Sequence, residues 1–359
     1  VENWKSDGKE TDVRMTMNWK SIVEPLLTWY QFHARRLPWR EAPSPYRIWI
    51  AEIMLQQTRI ETVIPYYQRF LQALPTIADL AAVPEDRLLK LWEGLGYYRR
   101  ARYLQTAARM IMTRFNGQFP EPYDEIRSLP GIGEYTAGAI ASIAFGQPTP
   151  ALDGNVLRVI CRLTGDRRDI ADRKTRDDLR NRLQQIYPPG RSGDFTQSLM
   201  ELGEVICVPN GAPECAVCPL AEWCMARAAG TILEIPVKTP PKARKIEQKT
   251  VLLIRCGGRI AVRQRTGQGL LAGLWEFPML DGWPTEDAVR AWLEKAGIQV
   301  KSLQATIAAR HVFSHLEWEM KGFLVEGTGR PAAFTWVSCA QLKDELALPT
   351  ALKAFRQLL

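Results

Sequence analysis

Nowhere in its 359 residues does the chain carry a run approaching the roughly 20 apolar residues of a membrane-spanning helix, so no membrane partner is expected. The first 17 residues, VENWKSDGKETDVRMTM, lack the apolar core of a secretory signal. They read as a flexible leader, and a cytoplasmic protein is expected. No internal repeat is present, which excludes a solenoid or a propeller. An even, dispersed set of cysteines suited to a disulfide framework is also missing. There are seven, and four of them crowd into residues 207 to 224. In a cytoplasmic chain such crowding points to metal ligation.

What the chain does have is bulk and basic charge. A length of 359 residues implies two or three domains, and 46% hydrophobic content provides them with cores. The net charge of +8, from 47 basic and 39 acidic residues, permits a nucleic-acid partner without requiring one. The 12 tryptophans read first as core filler.

The pattern is helical up to about residue 228. An amphipathic helix over 18–36 is broken by LPWR at 37–40. Ser44 and Pro45 mark the start of the next helix, as N-cap and first helical residue. That helix, PYRIWIAEIMLQ, is apolar almost all round and should be buried. Thr58 and Glu61 have the spacing of a capping box opening the helix that follows. Gln56 and Gln57 fall at the junction between the two. Further helices are expected over 76–82, 84–93 and 99–115, with Tyr97 in the Gly-rich link WEGLGYY. Later come NVLRVICRLTG, a helix near 172–187 whose mixed charges suit a solvated face, and FTQSLMELGEVIC. Residues 229–247, rich in Pro and Lys, read as an exposed linker. Beyond it, KTVLLIRC, Gly257-Gly258 and RIAVRQR form a hairpin signature. TEDAVRAWLEKAG is a helix, and HLEWEMKGFLVE alternates like a half-buried strand, so residues 248–359 are mixed α and β.

Four features carry chemistry. In LPGIGEYTAGAIASIAFGQPTPALDGN, residues 129–155, Gly131 and Gly133 flank Ile132 before a helix that starts near Tyr135. A short helix, PYDEIRS, precedes them. Glycine permits the sharp turn and leaves amides unshielded, and a helix N-terminus attracts anions. The segment reads as helix–hairpin–helix with amides aimed at a phosphate; the plain alternative is an interhelical turn. Glu52 lies among Ile48, Trp49, Ile50, Ile53, Met54 and Leu55. Burial there would raise its pKa and suit a general acid, whereas a solvated crevice or an Arg partner would leave it ordinary. Asp153 reads as a helix N-cap, and a second carboxylate would also suit a site where a sugar carbon becomes cationic. The cysteines follow C-x7-C-x2-C-x5-C through Cys207, Cys215, Cys218 and Cys224. Zinc sites more often use two x2 knuckles, so a [4Fe–4S] cluster is preferred to zinc. Cys161, Cys256 and Cys339 sit alone in apolar contexts and read as core residues.

Taken together, LPGIG, ALDGNV, the cysteine quartet, IWIAEIMLQQT and WEGLGYY resemble the helix–hairpin–helix DNA glycosylases with an iron–sulfur cluster. Within these, the chain is most similar to adenine DNA glycosylases of the MutY type, from about residue 18 onward. The resemblance implies an all-α glycosylase domain over 18–228 and a Nudix-like lesion-recognition domain over 248–359. It implies excision of adenine opposite 8-oxoguanine or guanine in double-stranded DNA, by a monomeric enzyme. Glu52 matches the acid that protonates adenine, Asp153 the carboxylate that stabilises the sugar cation, Tyr135 the tyrosine beside the acid, and Asn155 the amide nearby. Leu55, Gln57 and Tyr97 match residues inserted into the DNA stack, and Gln56 adjoins them. Ser314, between Phe313 and His315, matches the serine that helps to read 8-oxoguanine; its plain alternative is a strand hydroxyl bonded to a neighbour. The four clustered cysteines match the cluster ligands.

The chain departs from the family in two places. Seven residues, where six are usual, separate Cys207 from Cys215. The helix reading Arg290-Ala291-Trp292-Leu293-Glu294-Lys295 lacks most carboxylates that hold Mg²⁺ in Nudix hydrolases, so this domain should bind and not hydrolyse. Where related lyases carry a lysine after the hairpin, this chain has Tyr135, which implies base excision without strand cleavage.

Overall fold

The computed structural model describes residues 18–240, 243–267 and 269–359; the leader expected over 1–17 lies outside the described residues. Two compact units emerge. One holds residues 18–36, 121–127 and 133–239, the other 37–120, 128–132 and 240–359.

Sixteen helices and seven strands are described. The early helices are α1 (Val23–His33), α2 (Pro38–Glu41), α3 (Pro45–Leu55), α4 (Ile60–Ala73), α5 (Ile77–Ala82), α6 (Glu85–Leu91) and α7 (Arg99–Arg114). Then come α8 (Tyr123–Ser128), α9 (Glu134–Phe145), α10 (Gly154–Thr164), α11 (Arg173–Gln184), α12 (Ser192–Val205) and α13 (Met225–Ala228). The C-terminal part runs β1 (Lys245–Cys256), β2 (Arg259–Gln264), β3 (Trp275–Glu276), β4 (Met279–Asp281), α14 (Glu286–Lys295), β5 (Gln299–Val312), β6 (Leu316–Thr328), β7 (Thr335–Val337), α15 (Cys339–Asp344) and α16 (Lys353–Arg356).

Local chemistry explains several boundaries. Ser44 accepts from the Arg47 amide, and Pro45 supplies a preset φ, so α3 starts where expected. Its buried residues run all round the helix, Glu52 included. The capping box expected at Thr58 and Glu61 does not form. Arg59 is the N-cap of α4 without a side-chain bond, and the Thr58 hydroxyl donates to the Gln56 carbonyl instead. LPWR ends α1, and PWRE then makes a helical turn of its own, α2. In the first unit, α1, α10 and α12 share a core of Leu26, Leu27, Val159, Ile160, Phe195 and Leu199. Ile235 is buried in that same core, and the Thr239 hydroxyl bonds to Asp169. Within the exposed linker expected over 229–247, Ile235 is thus buried while most residues of 229–240 are exposed, and β1 opens at Lys245.

The C-terminal sheet has the order β3-β2-β1-β6-β5, with β4 added to β1 and β7 to β2. β1 and β6 run parallel from Lys245↔Leu316 to Cys256↔Gly327, while β5 pairs antiparallel with β6. Gly257 and Gly258 join β1 to β2, both at positive φ, as a two-residue hairpin turn demands. Alternate side chains of β1 enter two cores. Val251 and Leu253 join Trp318, Leu352 and Phe355, whereas Leu252 and Ile254 join Val289 and Leu293 of α14. With both faces covered, β6 is buried on each side, and the half-buried pattern read for it is a two-sided one. Cys161 and Cys256 are core residues as expected; Cys339 is exposed at the start of α15.

Candidate active site and nucleic-acid interface

The second unit contains a cleft of about 1150 Å³. Gln56, Gln57, Tyr97, Gly131, Phe313, Ser314 and His315 all line it. These are seven of the nine residues singled out for nucleic-acid contact, and they come from four separated stretches of sequence. Leu55, at the end of α3 and partly buried, and Gly133, in the other unit, are not among the lining residues. Arg99, Arg100 and Arg102 add positive charge to the wall, the sign a phosphate backbone requires.

Two turns that line this cleft carry a left-handed residue each. Gln57 follows α3 with φ 57°, and Tyr97 precedes α7 with φ 47°. Left-handed backbone at a non-glycine residue costs on the order of 1–2 kcal/mol, so neighbours must hold both turns. Tyr97 is 47% exposed. The Ser314 hydroxyl donates to the Tyr97 hydroxyl at 3.3 Å. Ser314 and His315 form the tip between β5 and β6, closed by the Phe313 amide on the Leu316 carbonyl. The Phe313 ring stands edge-on between His311 and Trp318, at 4.6 and 5.0 Å. That packing fixes the tip.

The hairpin glycines differ. Gly131 has φ +80°, and a Cβ there would meet Tyr103 Cβ at 2.5 Å. Gly133 is the N-cap of α9 with φ −91° and ψ 178°, and nothing lies within 4 Å of a Cβ. Only Gly131 needs glycine for its own fold. At Gly133 the missing side chain leaves the start of α9 open. Tyr135, in the first turn of α9, is half-buried.

Glu52 is 6% exposed on α3, in the second unit. Asp153, Asn155 and Tyr135 belong to the first. There Asp153 is the N-cap of α10, accepting from the Val156 amide at 2.7 Å. Asn155 Nδ2 donates both to Asp153 Oδ2 at 3.0 Å and to Glu204 Oε1 at 2.7 Å. Arg158 Nη2 donates to Asn155 Oδ1 at 2.7 Å and to the Gly203 carbonyl at 2.8 Å, which fixes the amide's orientation. Burial raises the Asp153 pKa above the usual aspartate value; the Val156 amide opposes this and the Glu204 charge reinforces it.

Arg158 Nε reaches the Cys207 carbonyl at 2.7 Å, and Arg162 Nη1 donates to Cys207 Sγ at 3.3 Å. The four clustered cysteines are electrostatic neighbours: burial raises the Cys218 thiol pKa to about 11, and Cys207, Cys224 and Cys215 push the same way. Among the described residues no group of three or more His, Cys, Asp or Glu is placed to hold one metal ion. A single zinc with Zn–S bonds of about 2.3 Å would draw four sulfurs to about 3.8 Å of one another. Each cysteine of a cubane binds a different iron, so its sulfurs stand wider apart. The chemistry of four thiols, one of them with an arginine donor, fits a group that binds thiolates.

Arg100, Arg158 and Glu204 escaped the reading of the sequence. The signal for Arg158 was its spacing of four from Arg162 in the otherwise largely apolar helix NVLRVICRL. Both are nearly buried, at 6% and 3% exposure. Arg100 and Glu204 carried no local signal.

The HhH-GPD superfamily base excision DNA repair protein model matches residues 50–188, and a NUDIX domain model matches 250–358. In structure the chain resembles a thermostable thymine-DNA glycosylase, with TM-score 0.54 and 28% identity over 58% of this chain and 96% of that one. A trapped endonuclease III–DNA covalent intermediate aligns with TM-score 0.51 and 26% identity over 59% and 96%. Fold and site thus define a helix–hairpin–helix base-excision domain joined to a Nudix-like domain. The human adenine DNA glycosylase is 34% identical over an alignment of 397 residues, covering 92% of this chain and 72% of that protein. The chain belongs to the adenine DNA glycosylase family. Among the described residues no helix is long and apolar enough to cross a membrane.

Proposed function

We propose that the chain removes adenine mispaired with 8-oxoguanine, or with guanine, from double-stranded DNA, as a base-excision glycosylase without lyase activity. The observation that carries this is the cleft that gathers Gln56, Gln57 and Tyr97 with Phe313, Ser314 and His315. A base inside a duplex must leave the stack before its glycosidic bond can be reached. Leu55, Gln57 and Tyr97 act as wedges in that step, with Gln56 beside them, and Ser314 with its neighbours Phe313 and His315 reads the opposite base. The amides at Gly131 and Gly133 grip a phosphate. Glu52, buried on α3, protonates adenine at N7 and turns it into a leaving group. Electrons of the base–sugar bond depart with the adenine, and the carboxylate of Asp153 stabilises the oxocarbenium ion until water adds. Asn155 orients that carboxylate, and Tyr135 stands in the sequence where lyases carry their lysine. Cys207, Cys215, Cys218 and Cys224 would hold a [4Fe–4S] cluster, which would supply a cross-link for their loop.

The test is base release from a duplex with adenine opposite 8-oxoguanine, with a thymine glycol duplex as control. Release from the first alone is expected. Glu52→Gln should bind the duplex and release no base; full activity in that variant overturns the acid assignment. Borohydride should trap no covalent adduct, because Tyr135 cannot form a Schiff base.

A further inference from the structure

Arg100 is 8% exposed, and its guanidinium meets no carboxylate among its hydrogen-bond acceptors. Nη1 donates to the carbonyls of Ile53, Met54 and Gln56 at 2.8, 3.0 and 2.7 Å. Nη2 donates to the carbonyls of Leu95 and Gly96, both at 3.1 Å, and to Thr58 Oγ1 at 3.4 Å. One arm thus caps the C-terminal end of α3, where unpaired carbonyls and the helix dipole favour a cation. The other holds the Gly-rich link before α7. The same group lies 5.4 Å from the Trp92 ring and 5.5 Å from the Tyr97 ring.

The two clamped segments are those that end in the left-handed residues, Gln57 at φ 57° and Tyr97 at φ 47°. A fork with two nitrogens at fixed separation sets the distance between them; a lysine, with one nitrogen, cannot. We propose that Arg100 is the positioning residue that sets both wedges at once, holding Gln57 and Tyr97 in the conformations from which they enter a distorted duplex. Arg100 acts through Gln57 and Tyr97 and need not touch the substrate itself. The inference rests on the wedge role given to Gln57 and Tyr97 above, and its test separates the two.

The first measurement is a double-mutant cycle in single-turnover base release, with 2-aminopurine at the target position to report unstacking. Tyr97→Ala and Gln57→Ala alone test the wedges; if neither slows release nor reduces the fluorescence change, the wedge role fails. With the wedges upheld, Arg100→Lys is expected to slow release about tenfold alone and less than threefold in the Tyr97→Ala, Gln57→Ala background. Multiplicative losses would mean that Arg100 acts elsewhere and overturn the proposal, as would wild-type unstacking in Arg100→Lys. The second measurement needs no variant. The Thr58 amide is bonded to the Leu55 carbonyl and the Leu95 amide to the Trp92 carbonyl, one in each turn. Native-state hydrogen exchange in rising denaturant should show both amides opening together, because one side chain ties the turns. Separate openings would overturn the proposal whether or not the lysine variant folds.

Discussion

Replacing the two hairpin glycines by alanine should have opposite consequences. At Gly131 the backbone φ of +80° penalises any Cβ by about 1–2 kcal/mol. The new methyl would also stand 2.5 Å from Tyr103 Cβ and 3.0 Å from its ring. Relieving such overpacking typically costs a further 1–3 kcal/mol or so. Gly131→Ala is therefore expected to lose about 2–5 kcal/mol of stability. At Gly133 the backbone is one any residue adopts, and no atom lies within 4 Å of the new methyl. Alanine is a poorer N-cap than glycine, but it also restricts the unfolded chain by about 0.4–1 kcal/mol; these effects nearly cancel. Gly133→Ala should thus melt within a degree or two of the parent. If a phosphate docks on the amides at the start of α9, the same methyl sits where the phosphate must come, and duplex affinity should fall about tenfold or more. The assays are thermal unfolding and fluorescence anisotropy with a labelled duplex. A stable Gly133→Ala that binds DNA like the parent would refute the phosphate grip.

Three further outcomes are expected. Glu204→Gln removes a charge that raises the Asp153 pKa, so the acid limb of the rate–pH profile should move to lower pH; an unmoved limb would deny that Glu204 bears on Asp153. Because the Asp153 pKa is raised in the fold, the folded state holds that proton more tightly than the unfolded one, and stability is lost as pH rises through the shifted value. Asp153→Asn keeps a cap oxygen but sets an amide donor against the Asn155 amide donor, so only the pH dependence is expected to change: its melting temperature relative to the parent should rise from acid to neutral pH, while base release disappears. Ser314→Ala should weaken discrimination between 8-oxoguanine and guanine about fivefold, from one hydrogen bond worth about 1 kcal/mol, and unchanged ratios would place the reading elsewhere.

Local rules explain which of these features showed in the sequence. Ser44 and Pro45 bracket α3 through contacts within a single turn, so the boundary could be read directly. The two faces of β1 followed from alternation, and Gly257-Gly258 from turn geometry. Thr58 misled because a hydroxyl with the spacing of a cap found a nearer acceptor, the Gln56 carbonyl. Cys339 misled because one apolar neighbourhood in sequence did not become one in space. Arg100 was invisible for a stronger reason. Its acceptors lie up to 47 positions away, and in the sequence it is one arginine of RRARY. Glu204 likewise acquires meaning only through an amide 49 positions distant.

The distribution of strain bears on how the cleft works. Among the described residues, four other than glycine have positive φ: Gln57, Tyr97, Asn116 and Leu271. Asparagine tolerates that region, since its short polar side chain can bond locally. The remaining three pay a full steric penalty, and all three line the same cleft. A fold that merely needed turns there would place glycine, as it does at Gly94 and Gly96 beside Tyr97 and at Gly269 and Gly273 beside Leu271. Side chains have instead been kept at the three points where the backbone resists them, which makes sense if those side chains must project into whatever fills the cleft. The cost is local and is met by contacts such as the Arg100 clamp, so that, in the proposed wedge role, Gln57 and Tyr97 would be set in place before a duplex arrives. Binding energy from phosphate contacts can then go into distorting the DNA instead of ordering the protein.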